Sequence, residues 1–478
     1  MPADSAITLD NFFPNLEDVT LRRGYSSHAT GVGAAAVETV AEYAGPSTRK
    51  LLACSATNIY DATSAGAASS LVGSKTNGRW QTTMFGTAGG NFLFMVNGAD
   101  DPTYYDGSSF TIPSLTGVTA TTIVGVMAHQ RRLFFIFNNS MNFGYLPVVS
   151  VSGAVSTFSI GGLCKKGGYI MAAGSWTRDG GSGPDDVACF ITSEGEVVLY
   201  SGDDPAVAAS WVLVGVFSIG KPIGRRSVFK VGSELVIITQ DGFVPLSVVL
   251  PIDSVGVKEK SLSDNIQNAV NSATRSYGSL FGWQCLLYPK GSYALFNVPQ
   301  STTVAHQYVV NTQTGAWCRF TGQNSASWSL YNDDLYFGAQ AGGVVYKADT
   351  GMADGSGNID GKIKPAFNYF KAKGRKKLFT LCRPLFTTNG SLGVAIDLNV
   401  DFSDINPTSI PTSPDPGGMI WGTSNWGEAN WTGETTLSPW ITVFGMGDCA
   451  SPTIRCSTNS LTVSFAAYDM IWQQGNAL

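Results

Sequence analysis

The sequence predicts an all-β chain: an irregular β-propeller of six to eight blades with an additional C-terminal β domain. Three observations carry that prediction. Glycine is abundant, 55 of 478 residues, while charged residues are only 14%, against roughly 25% in an average soluble domain. Short apolar runs alternate with Gly/Asp/Asn turns, as hairpins do. These hairpins recur every 40–59 residues, the length of a propeller blade. A series of β-sandwiches would instead show turn signals every 8–12 residues without the longer period. With 44% hydrophobic residues and a net charge of −5, the chain can fill a large core, which excludes a disordered protein.

Residues 1–45 read as an N-terminal segment that either joins the C-terminal domain or closes the propeller. The propeller spans 46–350. Its clearest hairpins pair Asn91–Val96 with Thr103–Gly107 across Asn97-Gly98, and Cys189–Thr192 with Glu196–Tyr200 across Ser193-Glu194-Gly195. One strand residue from each hairpin, at 52, 93, 133, 189, 235, 294 and 335, gives seven units. A four-stranded blade cannot bury both faces alone, so blades must stack around a channel and close. One helix is expected, Ser261 to Thr274, with Ser261 and Ser263 as caps and Ile266, Ala269 and Val270 on one face. Residues 351–478 form the C-terminal β domain, a platform for docking. It holds alternating strand residues from Val394 to Phe402, a Pro/Ser-rich linker from Asp404 to Gly418, and tryptophans at 421, 426, 431 and 440.

The start, Met1-Pro2-Ala3-Asp4-Ser5, is acidic and lacks the apolar run of a secretory signal. The densest apolar stretch, Leu133–Phe137, is strand-sized, so no membrane-spanning segment is expected. Eight cysteines show no C-x-x-C and no zinc spacing. They read as buried thiols in a reducing compartment, with a Cys449–Cys456 bridge as the main exception.

Catalytic and ligand motifs are not found. Gly215–Lys221 fits G-x-x-x-x-G-K but continues into Pro222, which offers neither the hydroxyl nor the N–H of a phosphate loop. Gly31–Ala36 matches the weak G-x-G-x-x-A pattern without a βαβ unit. His28, His129 and His306 are isolated from other ligand residues and read as structural, so neither a metal nor a cofactor is expected. Acidic doublets at Asp100-Asp101, Asp185-Asp186, Asp203-Asp204 and Asp333-Asp334 sit beside turn residues. Carboxylates such as Glu194, Glu196 and Asp203 could serve a glycosidase in principle, but a turn role is expected and the chain is read as a non-enzyme.

The densest charge feature is Lys362, Lys364, Lys371, Lys373, Arg375, Lys376, Lys377 and Arg383, eight cations in 22 positions without an acid. It reads as a docking face for an acidic neighbouring subunit, as a solvated strand surface, or as a DNA contact, the last supported by interleaved Phe367, Tyr369, Phe370 and Phe379. A sequence pI of about 5.3 argues that any DNA contact is local.

Several segments resemble tail proteins of short-tailed bacteriophages and prophages: Asn11-Phe12-Phe13-Pro14 with Leu21–Tyr25, Gly167–Trp176, Gly183–Asp186, Ile191–Val197, Tyr200–Pro205, Trp211–Phe217 and Asn311–Trp317. The resemblance covers about residues 10 to 385 and is to the tail nozzle or tail hub proteins, the tail tubular protein B-like or DNA-stabilisation family. It implies a virion protein assembled in the host cytoplasm. Its subunits would form a cyclic homohexamer of propellers below the portal and adaptor, in contact with adaptor, portal-proximal and tail fibre or spike proteins. The ring would continue the channel for packaged double-stranded DNA, retain that DNA and open for genome ejection. The alternative reading is a propeller-type carbohydrate- or receptor-binding tail module, with the tryptophan cluster stacking on sugars.

Overall fold

The strand Arg132–Phe137 is buried along its whole length. Successive side chains of a strand point to opposite faces, so Leu133, Phe135 and Phe137 pack toward the preceding sheet and Phe134 and Ile136 toward the following one. Each such burial contributes roughly 1.5–3 kcal/mol. The same alternation operates around the whole ring in this computed structural model, which describes residues 5–177, 186–249, 261–407 and 435–475. Seven antiparallel sheets follow one another, and an apolar core lies between every adjacent pair. This is a seven-bladed β-propeller.

The inner strands, in order, are Val37–Ala44, Gln81–Thr87, Ile123–His129, Ile170–Thr177, Val228–Val231, Gln284–Tyr288 and Ser325–Tyr331. The seven positions singled out by hairpin chemistry all fall in the second strand of a blade. Blade 5 has three described strands, and helix Gln267–Tyr277 packs Val270 and Ala273 into the core it shares with blade 6. The helix lies close to the expected span, but its start differs. The Ser263 hydroxyl accepts from the Phe243 backbone N–H and donates to Gln267 instead of capping, and Ala269 is exposed.

Closure uses the N-terminus. Tyr25–Thr30 pairs antiparallel with Val345–Ala348 as the fourth strand of blade 7. Blade 7 meets blade 1 where the Ser327 hydroxyl donates to the Val37 carbonyl at 2.8 Å. Gly338 permits this approach, since a Cβ there would stand 2.5 Å from the Val37 carbonyl oxygen.

The C-terminal domain is a two-sheet sandwich. One sheet orders Ala6–Asp10, Ile359–Pro365, Ala450–Thr458 and Val394–Val400, and it continues blade 6 through the parallel contact Asp10↔Arg319. The other sheet holds Phe12–Pro14, Val19–Leu21, Val463–Gln474 and Lys377–Thr388, with Thr435–Leu437 and Ile441–Gly447 on the far edge of the last. Phe12, Ile363, Phe386, Ile454 and Phe465 fill the space between them.

The segment 1–45 is therefore divided. Residues 6–21 belong to the sandwich, 25–30 close the ring, and Val37–Ala44 is the inner strand of blade 1, so the propeller starts before residue 46. The Cys449–Cys456 bridge is absent: all eight cysteines are free. Cys456 lies seven positions beyond Cys449 along the extended strand Ala450–Thr458 and the residue before it, a separation of roughly 23 Å, far beyond disulfide reach.

Arg22, whose side chain is 2% exposed, ties these parts together. It donates to both carboxylate oxygens of Asp354 (2.8 and 2.6 Å), to the Thr321 carbonyl after blade 6 (2.6 Å), and to the Asn11 side chain (2.9 Å). Asn11 in turn donates to Thr321 and to the Asp360 carbonyl of the sandwich. Removing one partner of a buried pair strands the other charge, at a cost of about 3–5 kcal/mol. Arg22→Ala is expected to lose about that much stability, read as a lower urea midpoint; an unchanged midpoint would show that the knot is not needed.

Candidate functional site at the channel mouth

The loops that lead into the inner strands gather on one face of the ring, around a cavity of about 630 Å³. A second cavity of about 280 Å³ is lined by the inner strands themselves. Arg225 and Arg226 line both, so the loop between blades 4 and 5 places two guanidinium groups at the constriction.

Arg226 reaches across the channel. It donates to the Glu38 carbonyl (3.0 Å) and Thr39 hydroxyl (2.6 Å) of blade 1, and to the Trp80 carbonyl (2.9 Å) at the entrance to blade 2. Its guanidinium lies 5.0 Å from the Phe281 ring centroid, and that of Arg79 lies 4.6 Å from the same ring. Arg79 is neutralised by Glu38 at 2.8 Å. Burial holds the Arg226 guanidinium down at about 10, still fully charged at neutral pH. Arg225 donates to the Asn138 side-chain oxygen (3.0 Å) and lies over Tyr169, while its other terminal nitrogen has no hydrogen-bond partner among the described residues. Among the described residues no carboxylate lies within 4 Å of either Arg225 or Arg226. The mouth is thus a polar, cationic funnel in an acidic protein.

The eight cations of 362–383 divide. Lys364 is buried, and its ammonium pairs with the exposed Asp404 at 2.7 Å. Lys377 is fully buried and donates to the carbonyls of Ala372, Arg375 and Asp448. Arg383 pairs with Asp469 and lies over Trp440. Lys362 is half-buried in its strand. Lys371, Lys373, Arg375 and Lys376 remain exposed, together on the turn before Lys377–Thr388. As one face of eight the stretch does not exist; a basic tip of four does.

Other sequence candidates have structural work. Gly215 lies in the outer strand Trp211–Ser218, and Lys221 pairs with Glu194 at 2.6 Å. Glu196 accepts from the backbone N–H groups of Lys165 and Lys166, Asp204 holds Arg132, and Asp334 holds Lys290 and Lys347. The ring nitrogens of His129 contact the Ser175 hydroxyl and the Gly202 carbonyl, and His28 contacts the Ala62 carbonyl. Trp421, Trp426, Trp431, Gly183–Asp185 and most of the 404–418 linker lie outside the described residues.

The architecture is a seven-bladed propeller carrying a sandwich. No family model matches the chain, and no curated protein matches it. Among solved structures the chain is similar to the computationally designed Ika8 protein (11% identity, TM-score 0.38, 68% of this chain and 99% of the other). It is also similar to the β-propeller domain of Myceliophteria thermophila Cps50 (Swd1), at 13% identity, TM-score 0.42 and coverage of 71% and 99%. A third likeness is to YCF48 bound to a D1 peptide, at 9% identity, TM-score 0.39 and coverage of 72% and 99%. The seven-blade count rests on the strand order of this chain.

Arg226→Ala removes the cross-channel donor to the Glu38 carbonyl and leaves the Trp80 carbonyl with the Thr39 hydroxyl at 3.3 Å, and an unsatisfied buried group costs about 1–3 kcal/mol; the melting temperature should fall, whereas an unchanged value would mean that the cross-brace is idle. His306 is 4% exposed, and burial, helped by nearby Arg319, lowers its imidazole to about 4. The unfolded chain takes up that proton near 6.5. Stability is therefore full above about pH 6.5 and declines as pH falls toward 4, on the order of 1–2 kcal/mol by pH 5. His306→Gln should flatten the dependence of the urea midpoint between pH 7 and 5; an equally steep dependence would assign it elsewhere.

Proposed function

We propose that the chain is a structural subunit that acts by assembling with other protein chains, as a nozzle or hub ring in a short-tailed phage tail. The observation that carries assembly is the outer strand of blade 4, Trp211–Ser218. From Ala206 to Gly220 it has no charged residue, and Val212, Leu213, Val214 and Val216 are exposed. Sheet edges of proteins that stay single are normally blunted by charge or proline; this one is open to a neighbour.

A second apolar surface lies on the sandwich, where Phe444 (80% exposed), Met446, Trp440 and Ile471 stand on one outer sheet face. Patches of this kind mark interaction sites. The tail-ring reading adds the resemblance of residues 10 to 385, whose first motif supplies the Asn11–Arg22 knot. In that reading the exposed tip of Lys371, Lys373, Arg375 and Lys376 docks an acidic neighbour, and the net acidic chain lets DNA pass without sticking. The described residues contain no helix long and apolar enough to cross a membrane.

Light scattering of the purified protein, alone and with tail-adaptor and portal-proximal proteins, tests the reading. Six copies of a 50.5 kDa chain are expected in one ring, alone or on the adaptor, and Val214→Lys should reduce it to monomers with an unchanged melting temperature. A monomer that ignores those proteins would overturn it.

A further inference from the structure

We propose that the channel mouth binds a compact ligand bearing an oxyanion, a carboxylate or a phosphate, with Arg225 as its principal donor. The site lies within one subunit and does not depend on the assembly reading. Three features support it.

The first is uncompensated charge. Glu38 is committed to Arg79, so among the described residues Arg225 and Arg226 leave two positive charges at the mouth, and their own hydrogen-bond and ring partners are neutral carbonyl, hydroxyl, amide and aromatic groups. Partly buried cations without an anion are costly, and an anion entering the mouth would offset that cost. The second is unused donor capacity. Besides the free nitrogen of Arg225, the side-chain amide nitrogen of Gln340, a residue only 8% exposed, has no partner among the described residues and lines the same cavity. The third is size: about 630 Å³ lies in the range of small-ligand sites. Phe281, Leu280 and Met171 give the cavity apolar wall for the body of such a ligand.

The roles of the two arginines differ. Arg226 is held in place by blades 1 and 2 and supplies fixed field. Arg225, anchored by one side-chain bond to Asn138, keeps a directed N–H free for a charge-assisted hydrogen bond. The neutral Gln340 amide would complete the contact without adding charge.

Calorimetric titration of the full chain with inorganic phosphate and, separately, with citrate tests this at low salt. At least one probe should bind with Kd of about 1 mM or tighter, more weakly as salt rises. Binding of phosphate alone assigns a phosphoryl ligand, and binding of citrate alone a carboxylate; either supports the proposal. Arg225→Gln should weaken binding roughly tenfold or more while melting like the parent, and Gln340→Leu should weaken it by a smaller factor. Arg383→Gln, far along the chain and paired with Asp469, should bind like the parent. If Arg225→Gln does not fold, the Gln340→Leu and Arg383→Gln pair decides. Failure of both probes to bind, or equal binding by the parent and the mouth variants, would overturn the proposal.

Discussion

Everything in this molecule depends on closing the ring. Seven sheets, each apolar on both faces, are stable only if every face has a neighbour, and an open series would expose the faces of blades 7 and 1. The closing contact is the antiparallel pairing of Tyr25–Thr30 with Val345–Ala348, joining strands more than 300 residues apart. The chain therefore commits its N-terminus to the last blade, and that choice fixes the rest. The residues before it, 6–21, have nowhere to go but the sandwich, so the ends of the chain lock propeller and sandwich together through Asn11, Arg22 and Asp354.

Closure also explains where the arginines lie. The sequence has three Arg-Arg pairs, at 22-23, 131-132 and 225-226, and one member of each braces separate elements. Arg22 joins the N-terminal segment to the end of blade 6, Arg132 of blade 3 pairs with Asp204 of blade 4, and Arg226 spans the channel to blades 1 and 2. A planar guanidinium with five donors suits such bracing better than an ammonium. In a chain so poor in charge, a vicinal arginine pair is a signal of a cross-element brace, and it would have pointed to the channel mouth.

The blades were legible because hairpin turns and period-two strands are local, and every anchor chosen on that basis lies in a second strand. What local pattern cannot show is partnership across the chain. Residues 37–44 alternate well enough to be a strand, yet only closure reveals them as the inner strand of blade 1. Nor does the stretch 362–383 disclose that Lys364 and Lys377 turn inward while four cations at the turn stay in water. The mouth escaped for the same reason: its walls come from residues 36 to 340, and the adjacent Arg225 and Arg226 were its one local signal.

The N-terminal strand Tyr25–Thr30 is a full member of blade 7. Native-state hydrogen exchange of the intact protein tests it most directly. The paired amides of 25–30 are expected to exchange only with the global unfolding of the propeller, as slowly as the inner blade strands. Exchange at the rate of a fraying terminus, with blades 1 and 7 still protected, would contradict it.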